Sequence, residues 1–190
     1  MEPRRRKSLR LPGFDYTTAN PYFVTVCVQR RECLFGEIGG GAMHENIVGR
    51  MVRATWDELP QRFPHLTLDA FVVMPNHVHG ILFLNLSVAG AELALPSNAS
   101  RLPNAGGASP APTPKRSLGE VMGCFKSLSA ISVNRHLGRL GYPLWQRNYY
   151  EHITRDETAL EKFRGYIRSN PLRWENDKEN PLASCVSRSG

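Results

Sequence analysis

Two histidines, His77 and His79, stand two residues apart inside the run Val72-Val73-Met74-Pro75-Asn76-His77-Val78-His79-Gly80-Ile81-Leu82. Val, Ile and Leu on both sides favour a buried strand, and Pro75-Asn76 supplies a tight turn in front of it. Residues two apart on a strand share a face, so both imidazoles project together while Val78 points the other way. Burying two polar rings side by side is costly unless something binds them. A divalent metal is one binder. A pair of imidazoles hydrogen-bonded at a sheet edge is the plainer alternative.

Two histidines do not complete a metal site, and further ligands must come from elsewhere in the chain. Tyr166 and Asn170 lie four apart in a segment with helical periodicity, hence on one side of a helix. Each has an ordinary reading: a boundary tyrosine with its hydroxyl in water, and a residue at a helix C-terminus. The functional reading is that Asn170 brings a carbonyl oxygen to the metal and Tyr166 brings a nucleophile to the same place. Pro171 biases Asn170 away from helical backbone, which bears on where its side chain points.

The elements that must position these groups can be read from periodicity. Tyr22 to Arg30 alternates and is β-branched, a first strand. Gly39-Gly40-Gly41 makes a turn, and Asn46 to Leu59 carries Ile47, Met51, Val52, Ala54 and Leu59 at helical spacing. Leu66 to Val73 and His77 to Leu84 form two strands joined at Pro75-Asn76. Residues 86–114 turn to Ala, Gly, Ser, Pro and Asn and lack the apolar period that offsets ordering entropy, so they read as a flexible insertion. A second helix runs from Leu118 through Phe125 to about Leu137, and a short strand covers Tyr149 to Ile153. Thr154-Arg155-Asp156-Glu157 has the capping-box pattern, and the helix it starts carries Leu160, Phe163 and Ile167 until Pro171 stops it. The order β-α-β-β-α-β plus a final helix predicts an α+β, ferredoxin-like antiparallel sheet, with helices on one face and a C-terminal helix carrying the tyrosine.

The chain has 190 residues, a formal charge of +7 and a pI near 9.5. That length suits one domain with arms, and the basic balance points to a polyanion, nucleic acid before a membrane surface. The reading divides the chain into a basic arm at 1–15 (Arg4, Arg5, Arg6, Lys7, Arg10), a domain at 16–174 and a tail at 175–190. Four scattered cysteines without a C-x-x-C pair argue against a zinc ribbon or a disulfide framework and fit a reducing compartment. No apolar run spans a bilayer and the basic N-terminus leads into Pro12-Gly13, so the expected location is cytoplasmic.

Met74-Pro75-Asn76-His77-Val78-His79, Leu144-Trp145-Gln146-Arg147-Asn148-Tyr149-Tyr150 and Tyr166-Ile167-Arg168-Ser169-Asn170-Pro171 together resemble the HUH single-tyrosine transposases, and among them the REP-associated branch. The resemblance runs from about Tyr16 to Trp174 and is interrupted by the 86–114 insertion. It implies that His77, His79 and Asn170 bind Mg²⁺ or Mn²⁺ and that Tyr166 attacks single-stranded or hairpin DNA, leaving a 5′-phosphotyrosine and a free 3′-OH. Such an ester preserves the energy of the cleaved bond, so a second 3′-OH can rejoin strands without ATP. Members of the broad family occur as dimers with shared sites, while REP-associated ones resemble monomers. The alternatives are a metal-dependent phosphoesterase using water and a non-catalytic, structure-specific DNA-binding protein.

A free phenol has a pKa near 10, so about one in a thousand is ionised at neutral pH, a cost of roughly 4 kcal/mol that the site must offset. Lys126, Arg147, Lys162, Arg168 and Arg173 are candidates for DNA phosphates, and Trp145 for stacking on unpaired bases. His152 is weighed as a fourth ligand or base, with a supporting role preferred. Tyr149 and Tyr150 are rival nucleophiles, but neighbours on a strand point to opposite faces, and neither has a ligand-type residue four positions on.

Overall fold

A computed structural model describes residues 21–85, 117–154 and 156–183. The basic arm, the 86–114 insertion, Arg155 and Cys185 lie outside them.

The first strand, β1 (Pro21–Cys27), becomes the third of four in an antiparallel sheet. A hairpin of β2 (Gly36–Gly39) and β3 (Ala42–Glu45) follows, then α1 (Ile47–Asp57) and a single turn, α2 (Leu59–Arg62). Next come β4 (Leu66–Met74), β5 (His77–Leu84), α3 (Leu118–His136), β6 (Tyr150–Ile153) and α4 (Glu157–Ser169). The large sheet has the order β4-β5-β1-β6 with every pairing antiparallel, the ferredoxin-like arrangement.

Strand alternation sends two sets of side chains to opposite faces. Tyr22, Val24 and Val26, with Val78 and Leu82 of β5, meet α1 and α3 in the main core around Trp56 and Phe125. Phe23 and Ile81 meet Leu160 and Ile167 of α4 in a smaller core on the other face. The domain is therefore three layers, with the tyrosine helix on the sheet face opposite α1 and α3. Arg164 fixes its azimuth, because its guanidinium reaches the Asp69 carboxylate of β4 at 2.8 Å.

Local chemistry explains most boundaries. Asn46 caps α1, its side chain accepting from the Gly49 amide at 3.0 Å. Glu120 closes α3 by accepting from the Ser117 backbone amide at 2.7 Å. The helix carrying Tyr166 starts two residues later than the Thr154 pattern predicts: Asp156 is the cap, accepting from the Ala159 amide at 2.7 Å, and Thr154 is buried instead. The glycine turn is the tip of the β2–β3 hairpin, with Gly40 and Gly41 at φ 58° and 75°, values that favour glycine. Gly80 serves packing. A Cβ there would stand 2.5 Å from the Trp56 ring, which stacks on Phe71 at 4.5 Å between centroids.

Within the segment read as tail, residues 175–183 fold back on the sheet, and Asp177 and Asn180 are nearly buried. Asn180 donates to the Trp174 carbonyl at 3.0 Å, and Arg31 pairs with Glu179 at 3.1 Å. No described helix is long and apolar enough to cross a membrane.

Candidate active site

The β4–β5 turn builds the site through one side chain. Asn76 is fully buried, and its Nδ2 donates to the carbonyls of Arg31 at 3.0 Å and Glu179 at 2.7 Å. Two acceptors on the nitrogen fix which way the amide faces, so Oδ1 is what meets His77 Nδ1 at 2.9 Å. His77 therefore carries its proton on Nδ1 and offers a lone pair from Nε2. That Nε2 lies 3.0 Å from Nε2 of His79, whose Nδ1 meets the Thr25 hydroxyl at 2.8 Å.

The Thr25 hydroxyl can donate or accept. If it donates, His79 Nε2–H points at His77 and the corner closes on itself. If it accepts, both Nε2 lone pairs face one point and need a cation there. Burial is the main cause that lowers both histidines, His77 to about 4 against the opposing pull of Asp177, and His79 well below its usual range. Neutral imidazole is the form that ligates a metal.

Three further observations fit a cation. The 3.0 Å separation is that of neighbouring donors around an ion with bonds of ~2.1 Å and octahedral angles. Asp177 brings a carboxylate so that one ligand atom each from His77, His79 and Asp177 lies within 4.8 Å of the others. Asn170 is 1% exposed, and its Oδ1 has no hydrogen-bond partner among the described residues. A buried amide oxygen left unpaired costs roughly 1–3 kcal/mol, which a ligand would recover.

Tyr166 packs against this corner, its ring 5.1 Å from His79 and 5.9 Å from Phe23 between centroids. Burial raises its pKa, the Asp177 carboxylate adds to that, and the Asn170 amide and Arg173 act in the opposite direction. These surroundings thus favour the protonated phenol. Asn170 reaches this position because its backbone stays helical (φ −60°, ψ −42°) in spite of Pro171, which opens a 3₁₀ turn over Pro171–Asn176.

Asp177 was not singled out by the sequence, and nothing in the periodicity marks it. One local bond and one long-range tie set its position. Asp177 Oδ1 accepts from the Glu179 amide at 2.7 Å, and Arg31 donates to the Lys178 carbonyl at 3.0 Å. Arg30 and Arg31 have φ of 60° and 58°, a left-handed pair that costs of order 1 kcal/mol or more each and turns the Arg31 carbonyl toward Asn76. Thr25 and Phe23 were also missed as site residues, although the first strand's alternation puts them on one face.

The predicted DNA contacts divide. Lys162, one turn before Tyr166, lines a cavity of about 590 Å³ with Phe23, His79, Tyr150, Tyr166 and Asp177. Arg173 is exposed and close enough to act on Tyr166. Arg147 is exposed but does not line the cavity. Arg168 pairs with Glu161 on the outer side of α4. Lys126 is half-buried and tied to the fold, its Nζ donating to the carbonyls of Gln146 at 2.8 Å and Arg147 at 2.7 Å. Trp145 corrects the stacking expectation: it is 6% exposed, stands in the main core and donates to Ser129 at 2.9 Å. Packed against Phe35 and Phe125, its ring leaves no exposed face for a base.

His152 is exposed, packs on Phe163 at 5.1 Å and does not join the ligand cluster. Tyr149 packs against the main core, whereas Tyr150 pairs with Thr25 and faces α4.

No family model matches the chain. A 174-residue stretch, 91% of this chain and 92% of the other, is 37% identical to an uncharacterized protein of Haemophilus influenzae. The chain belongs to that protein's family. Among solved structures, a REP-associated tyrosine transposase bound to a REP hairpin superposes with a TM-score of 0.54 at 19% identity, over 91% of this chain and 74% of that one. This is the tyrosine-transposase fold. A provisional transposase from Deinococcus radiodurans gives a TM-score of 0.46 at 17% identity, over 84% and 95%. In this chain His77 and His79 stand on β5, and Tyr166 stands on α4 with Asn170 at that helix's C-terminal cap.

Proposed function

We propose that this protein is a metal-dependent DNA endonuclease and strand transferase that cuts single-stranded or hairpin DNA through a 5′-phosphotyrosine. The observation that carries this reading is a tyrosine that lines an open cavity while packed on one of two mutually facing histidines, with the buried Asn170 amide beside the tyrosine.

The residues divide the work. Asn76 and Thr25 hold the two imidazoles so that Nε2 of each points inward. His77, His79 and Asn170, with Asp177, would hold Mg²⁺ or Mn²⁺. Such an ion supplies Lewis-acid stabilisation of the charge that builds on a non-bridging phosphate oxygen. Packing against His79 and Phe23 fixes the Tyr166 ring, which lowers the entropy of attack. The Tyr166 oxygen forms a bond to phosphorus while the bond from phosphorus to O3′ breaks. The phenol proton leaves to water in the cavity, and the departing 3′ oxygen takes one up. Lys162 and Arg173 offer positive charge to the flanking phosphates.

The test separates binding from cutting. Tyr166→Phe is expected to bind a labelled hairpin with a single-stranded flank as the parent does, and to form no covalent adduct with Mn²⁺ present. The double variant His77→Ala, His79→Ala is expected to lose cutting and Mn²⁺ binding together. Cutting by Tyr166→Phe that releases a free 5′-phosphate would replace the tyrosine mechanism with hydrolysis by water.

A further inference from the structure

The cavity beside Tyr166 extends beyond the metal corner, and its far wall is aromatic. Phe23 is the centre: Phe163 stacks on it at 4.6 Å, Tyr166 meets it edge-on at 5.9 Å, and Tyr150 meets it edge-on at 6.4 Å. Three of these rings are largely occupied with one another. Tyr150 is the exception, half exposed at 50% on the edge strand β6, with its side chain on the α4 face. Lys162 stands on α4 across the cavity, and Asn148 and Gln146 bring amide groups to the same space. An aromatic face, a lysine and side-chain amides are what an unpaired nucleotide needs: a platform for the base, a charge for its phosphate and polar groups for its edge.

We propose that Tyr150 is a stacking platform for an unpaired nucleobase adjacent to the phosphate that Tyr166 engages. The inference rests on the DNA-cutting reading and adds a subsite to it. Tyr150 and Tyr166 touch the same Phe23 ring, so a base on Tyr150 belongs to a nucleotide beside the reacting one. Asn148 is placed to read that base's edge. Trp145, the aromatic the sequence offers for stacking, is unable to do this, and Tyr150 takes the role.

The test uses the full-length protein and a single-stranded oligonucleotide carrying 2-aminopurine, with EDTA present so that no cutting occurs. Affinity is read by anisotropy across a salt series, and stacking by quenching of 2-aminopurine. Tyr150→Ala is expected to weaken binding about 5- to 150-fold and to relieve the quenching, with the salt dependence unchanged because no phosphate contact is lost. Tyr150→Phe and Tyr150→Trp are expected to bind within about twofold of the parent, since the ring and not the hydroxyl is used. Thermal melting checks that the alanine variant is folded.

Tyr150→Ala with parental affinity and quenching would overturn the subsite, while adduct formation on Tyr166 would leave the cutting reading intact. Equal losses in Tyr150→Ala and Tyr150→Phe would also overturn it, by assigning the effect to the hydroxyl. A parent that binds no single-stranded DNA would overturn both.

Discussion

Asn76→Ala is the substitution with the largest expected consequence outside the reacting groups. The residue is fully buried, and its side chain makes three hydrogen bonds, to the Arg31 carbonyl, the Glu179 carbonyl and His77 Nδ1. Truncation strands two part-buried acceptors and one buried donor. At roughly 1 kcal/mol for each group left unpaired, the loss is about 3 kcal/mol. For a domain of this size that lowers the melting temperature by roughly 6–12 °C. The second effect is on the site. Without Oδ1 the His77 proton is free to move to Nε2, the atom that faces His79, so metal affinity should fall by about 10- to 100-fold. Differential scanning calorimetry gives the first quantity and isothermal titration with Mn²⁺ the second. A variant that melts within 2 °C of the parent and binds Mn²⁺ equally well would refute the reasoning from hydrogen bonds to tautomer to site.

Other substitutions test separate joints. Gly80→Ala puts a methyl group against the rigid Trp56 ring and is expected to destabilise by about 1–3 kcal/mol, with a changed near-UV tryptophan signal. Lys126→Met should lower the melting temperature, since two carbonyls lose a charged donor, and leave the salt slope of DNA binding unchanged. A slope reduced by one would return Lys126 to the DNA surface. Asp177→Asn should weaken Mn²⁺ binding, read by isothermal titration, by removing the one carboxylate of the cluster.

The architecture was legible because its signals are local. Alternation in Tyr22–Arg30, the apolar run around His77 and the helical stripe of Leu160, Phe163 and Ile167 each report the face a residue takes, and the sheet order follows from the element order. That His77 faces His79 and that Asn170 meets Tyr166 was legible for the same reason, since spacing of two on a strand and four on a helix fixes common faces. Contacts set by chain distance were not. Asp177 reaches the histidines through a turn anchored by Arg31, 146 residues earlier in the sequence numbering. Trp145 reads as an exposed aromatic only until its neighbours Ser129, Phe35 and Phe125 are known. Lys126 reads as a free charge until the 146–147 carbonyls are placed above it. In each case the residue type was visible and the partner was not.

Mapping the covalent bond tests Tyr166 most directly. The full-length protein is incubated with Mn²⁺ and a hairpin DNA bearing a single-stranded flank, digested with protease and nuclease, and its peptides are sequenced by mass spectrometry. A nucleotide adduct on the peptide containing Tyr166, absent from Tyr166→Phe, is the expected result. An adduct on Tyr149 or Tyr150, or cut DNA with no adduct on any tyrosine, would contradict it.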